Sequence, residues 1–80
     1  MAEFKFTISR AHRITGRGVV VVGLVQRGEA HVGDVLELKN GTIVVLMGIE
    51  RMTGSPMIGL RLNGPTDLSV YVPGEHIIDV

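Results

Sequence analysis

Eleven glycines divide this 80-residue chain into short runs rich in Val, Ile, Leu and Thr, and that spacing restricts the fold more than any other feature. β-branched residues favour strands, and glycine supplies the backbone conformations that tight turns need. No segment repeats apolar residues at i, i+3, i+4 and i+7 over the length of a helix. In residues 3–10, Phe4, Phe6 and Ile8 alternate with Lys5, Thr7 and Ser9. One face of that strand is therefore buried and the other wet.

The same reasoning predicts further strands at 19–26, 29–32, 35–39, 42–51, 57–62 and 75–80. The turns between them are Thr15-Gly16-Arg17-Gly18, Arg27-Gly28, Gly33-Asp34, Asn40-Gly41, the 52–56 loop and Asn63-Gly64-Pro65. Asn40-Gly41 reads as a two-residue type I′ hairpin, because both residues tolerate positive φ. In 35–39, Val35 and Glu37 oppose Leu36 and Leu38. Short strands at this spacing predict an all-β fold. The expectation is one domain, 1–80, forming a small closed antiparallel β-barrel of six or seven strands with Greek-key connections. Closure also removes sheet edges that would pair with other chains. Gly23, inside a valine strand, marks a place where another part of the chain approaches closely.

There are no cysteines, so neither disulfides nor thiolate metal sites are available. Eight basic residues balance eight acidic ones, without the cationic excess usual in nucleic-acid binders. No apolar run approaches the roughly 20 residues that span a bilayer. The first residues lack the basic start and apolar core of a secretion signal, so a cytoplasmic location is expected, with no membrane partner.

Three linked motifs, Gly16-Arg17-Gly18-Val19-Val20-Val21-Val22-Gly23, Gln26-Arg27-Gly28 and Val32-Gly33-Asp34, follow one another at fixed spacing. This pattern resembles the second, β-barrel domain of translational GTPases such as elongation factor Tu. Gly48-Ile49-Glu50 is similar to that family's Gly-Val-Glu, and Gly59-Leu60-Arg61-Leu62-Asn63-Gly64 to its Gly-x-x-Leu-x-Gly. The likeness runs from about Phe4 to Ile78. It implies a translation-protein barrel and, in the family, a pocket for the aminoacylated tRNA end. Glu50 matches that pocket's glutamate. Thr53 stands where the family has arginine, and Met57 or Ile58 where it has asparagine. The phosphate-binding motif Gly-x-x-x-x-Gly-Lys-Ser/Thr is absent, so no nucleotide cofactor is implied.

Candidate sites follow from these readings, each beside a plainer one. Glu50, with Met52 and Met57, forms a pocket candidate for a base or an amine, or Glu50 is a solvated strand-end carboxylate. Arg10, His12, Arg13 and Arg17 form an RNA-contact candidate, or a solvated rim without aromatics to stack bases. His12, His31 and His76 are scattered, without paired metal-ligand spacing, so no metal site is expected. No serine has a nucleophile-elbow context, so no catalytic residues and no enzyme activity are expected. The valine strand places Val20, Val22 and Leu24 opposite Val19, Val21 and Gly23, and residues 42–49 are also apolar on both faces. A barrel has one inner face, so Val20, Val22, Leu24, Val44 and Leu46 form an interface candidate. The function expected is a non-catalytic binding module that associates with itself or with a protein partner. The alternatives are an RNA- or ribosome-associated translation-factor domain and a small-ligand binder using Glu50.

Overall fold

A long antiparallel hairpin, β1 (Lys5–Ile14) with β2 (Gly18–Arg27), opens the barrel. It is followed by β3 (Val35–Leu38), β4 (Ile43–Arg51), β5 (Ile58–Asn63), a single 3₁₀ turn at Leu68–Val70 and β6 (His76–Asp79). The computed structural model describes residues 3–16 and 18–80. Strand order around the wall is β1-β2-β5-β4-β3-β6, closed back onto β1, with every pairing antiparallel. β3, β4 and β5 are successive neighbours and β6 returns beside β3, which is a Greek key. Among the described residues no helix is long and apolar enough to cross a membrane.

The inner face carries Phe4, Phe6, Ile8, Val19, Val21, Leu36, Leu38, Val44, Leu46, Leu60, Leu62, Tyr71 and Ile77, all at most 3% exposed. The 3₁₀ turn closes one end of this core. Asp67 caps it by accepting the Ser69 N–H (3.0 Å) and the Ser69 hydroxyl (2.7 Å), and Leu68 and Val70 pack inward. Beside it the buried Tyr71 hydroxyl donates to the Pro65 carbonyl at 2.8 Å. At β6, Asp79 accepts the N–H groups of Glu3 (2.9 Å) and Phe4 (3.0 Å). Those bonds tie Glu3 and Phe4 to β6 beside the β1–β6 seam.

Gly23 faces inward opposite Ile8, and a side chain there would land on the Thr7 carbonyl and 3.0 Å from the Phe6 ring. The close approach expected at this glycine is present.

Three details differ from the sequence reading. Residues 29–32 form a loop and not a strand, because their hydrogen bonds go to a tight turn. The His31 N–H donates to the Asp34 carboxylate at 2.8 Å, and the Asp34 N–H donates back to the His31 carbonyl at 2.9 Å. The short 3₁₀ turn was not expected. The β3–β4 hairpin is a three-residue loop, not a two-residue type I′ turn. Gly41 N–H donates to the Leu38 carbonyl, Leu38 N–H donates to the Thr42 carbonyl, and only Gly41 has positive φ (89°). This is a type I turn followed by a left-handed glycine, a common three-residue hairpin. A two-residue turn would have placed Val44 beside Glu37. The extra residue pairs Leu36 with Val44 and Glu37 with Ile43 instead. That one-residue change moves every side chain of β4 to the other face.

Candidate functional site

The β3–β4 register decides which apolar residues reach the surface. Val44 and Leu46, expected at an outer interface, are core residues at 1% and 0% exposure. Ile43, Val45 and Met47 point outward in their place, with Ile43 51% and Met47 45% exposed. Val35, paired with Val45, is 44% exposed. On the far side of β3, Ile78 pairs with Glu37, and the Val80 N–H donates to the Val35 carbonyl. Val45–Val35–Val80 and Ile43–Glu37–Ile78 are thus two adjacent rows across three strands. They make an apolar outer face with Glu37 as its carboxylate. Sequence reasoning missed Ile43 and Met47 because it phased β4 wrongly, although the alternation of 35–38 already placed Val35 outward.

Val20, Val22 and Leu24 do face outward on β2, but they do not form an exposed patch. Val20 is 4% and Val22 0% exposed, and only Leu24, at 37%, reaches solvent appreciably. Neither valine belongs to the inner core cluster. Their outer neighbours in the ladder are His12 and Arg10 on β1, and Arg61 and Gly59 on β5. Gly59 leaves room for the Val20 side chain, whose Cγ1 lies 3.2 Å from where a Gly59 Cβ would stand. Arg61 lies flat over Gly48, where a Cβ would sit 3.0 Å from its Nη2, and donates to the Met47 carbonyl at 3.3 Å. Arg61 was not singled out from sequence. Its position between core residues Leu60 and Leu62 is the signal that sends it outward.

The cationic cluster divides. The bulge at Ile8/Arg10 puts Arg10 and His12 on the outer face. Arg13 pairs with the inward residue Val19 at the barrel mouth. It helps lower the Asp67 carboxyl below its usual range, after the larger effects of the Ser69 hydroxyl and amide. Arg17 lies outside the described residues.

Glu50, Met52 and Met57 do not line a common pocket. A second bulge, between Leu46 and Gly48, turns Glu50 to the outside opposite Gly59 and sends Ile49 and Arg51 toward the barrel end. There a half-open groove of about 570 Å³ forms between the 28–32 loop and β4–β5. Val25, Ile49, Ile58 and Leu60 are among its apolar walls, and Glu29, His31 and Arg51 are its charged groups. His31 sits between two carboxylates, with Nε2 3.8 Å from Glu29 and Nδ1 3.8 Å from Asp34. The two acids approach opposite ring nitrogens and so do not converge on one point. His12 and His76 stand on separate strands, and among the described residues no group of three His, Asp or Glu side chains is placed to hold a metal ion.

No family model matches the chain.

Proposed function

We propose that the chain is a non-catalytic interaction module, similar in build to the second domain of translational GTPases, that associates with itself through the outer face of β3, β4 and β6. The observation that carries this reading is the run of solvent-facing Val35, Ile43, Val45, Met47, Ile78 and Val80 across three adjacent strands. An exposed contiguous apolar face on a small barrel favours association. Burying a Val, Ile or Met side chain in full stabilises by about 1.5–3 kcal/mol, and these side chains are already half covered. Four of them from each copy give a gain similar in size to the association cost of roughly 4–15 kcal/mol. The association is therefore concentration-dependent rather than obligate.

Ile43→Lys tests this reading. Ile43 is half exposed, so the barrel keeps its circular dichroism and melting temperature while the larger species seen by light scattering is lost. A folded Ile43→Lys variant that associates as strongly as the wild type defeats the proposal.

A second reading draws on Arg10, His12 and Arg61, which stand around the covered valines of β2 on one outer face. Such a patch suits the backbone of an RNA, and its binding would weaken steeply with salt. Arg10→Glu with Arg61→Glu should abolish that binding and leave self-association intact. RNA affinity that survives both changes rules out this face as the RNA surface.

A further inference from the structure

The two ends of the barrel are closed differently. The ladders place Ile14, Gly18 and Leu62 toward one end, where Leu68 and Val70 of the 3₁₀ turn pack inward. They place Lys5, Arg27, Ile58 and Arg51 at the other end. The loop of residues 28–34 crosses that second end without filling it: Ala30 packs against the core, but Val32 is 64% exposed. The half-open groove of about 570 Å³ is the space left between this loop and β4–β5. Its size falls within the roughly 300–1,000 Å³ of small-molecule sites, and barrel mouths are a common place for them. We propose that this groove binds a small aliphatic carboxylate, with the hydrocarbon on Ile49, Ile58 and Leu60 and the carboxylate on Arg51.

The loop that forms the outer wall is held at both ends. Gly28, at φ 72°, lies against the Glu3 carbonyl, where a Cβ would collide with that oxygen. At the far end the Gly33 N–H donates to the Leu46 carbonyl at 2.7 Å, and the Leu46 N–H donates to the Asp34 carbonyl at 2.9 Å. The groove is therefore preformed. Buried Phe4 and Leu60 make its floor, and half-covered Ile49 and Ile58 make its side. The charge of the ligand follows from the groups that line it. The Glu29 carboxylate lies 3.8 Å from His31, whose other ring nitrogen lies 3.8 Å from Asp34. Among the described residues the Arg51 guanidinium has no hydrogen bond or ion pair, so it is the lining charge left to be matched. This reverses the sign of the ligand expected at Glu50, which faces outward opposite Gly59 and does not line the groove. Nor do Val35, Ile43 or Met47 line it, so the site is independent of the self-association proposed above.

Octanoate and octylammonium, which share a chain and differ in charge, are the probes. Each is titrated at neutral pH into the wild type, followed by the methyl resonances of Val25, Ile49 and Ile58. Octanoate should shift these methyls saturably and leave those of Val35, Ile43 and Ile78 in place. An exposed ion pair is worth up to about fivefold in affinity, so octylammonium should bind at least about threefold more weakly. Arg51→Gln, at an exposed strand end, should keep the barrel's circular dichroism and lower octanoate affinity by about threefold to fivefold. Equal affinity for the two probes, or octanoate affinity unchanged by Arg51→Gln, would overturn the assignment of the carboxylate to Arg51. Shifts that never saturate, or that fall equally on Val35 and Ile43, would overturn the site itself.

Discussion

Replacing Gly23 by alanine tests the barrel's closest internal approach. Gly23 is buried on the inner face of β2, and its missing Cβ leaves the space that the Thr7 carbonyl and the Phe6 ring occupy. Thr7 belongs to the backbone of β1, so a rotamer change cannot relieve the collision. One strand must move, and the β1–β2 ladder, the longest in the barrel, must distort with it. Overpacking a well-filled core costs about 1–3 kcal/mol, and a clash with backbone belongs at the upper end, about 3 kcal/mol. At roughly 0.05–0.15 kcal/mol per residue, a chain of this size has about 4–12 kcal/mol in total. Gly23→Ala should therefore lower the melting temperature by about 12–24 °C, and Gly23→Val should leave little folded protein. Thermal unfolding followed by circular dichroism measures this, with exposed Thr53→Ala as a control expected within about 0.5 kcal/mol of wild type. A Gly23→Ala protein melting within about 2 °C of wild type would refute the placement of this glycine.

Two further changes probe the hydrogen bonds that close the barrel. The Asp79 carboxyl is held below its usual range chiefly by the Phe4 N–H, with help from Glu3. Its contribution is complete above the unfolded value of about 3.9 and is lost as pH falls through the lower folded value. Asp79→Asn should thus flatten the acid limb of stability measured by urea unfolding between about pH 2 and pH 6; an unchanged acid limb argues against the contact. Burial pushes the Tyr71 hydroxyl pKa up, so its contribution is complete below about pH 10 and lost as pH rises through the folded value. Tyr71→Phe should weaken that alkaline loss and, by stranding the Pro65 carbonyl, cost about 1–3 kcal/mol at neutral pH.

Much of the barrel was legible because glycine turns and alternating strands are local signals. The faces of β2 were read correctly from its valines, and Gly23 from its place among them. What local signals could not supply was the phase of β4. That phase depends on whether Asn40 or only Gly41 takes positive φ, and the difference of one loop residue exchanged Val44 and Leu46 for Ile43 and Met47. The burial of Val20 and Val22 was equally hidden, because their neighbours on β5, Arg61 and Gly59, lie far away in sequence. Glu50 is the exposed strand-end carboxylate of its plainer reading, and its outward facing follows from the bulge at Leu46/Gly48, which has no sequence signature beyond the glycine. The groove between the 28–32 loop and β5 arises from the same bulge, which turned Ile49 and Arg51 toward it.

The central claim is that the outer face of β3, β4 and β6 is covered by a second copy. Sedimentation equilibrium of the unaltered chain across a wide range of concentrations tests it most directly. The account predicts a weight-average mass that rises with concentration from the 8.6 kDa monomer toward twice that value. A mass that stays at the monomer value up to high micromolar concentration would contradict it.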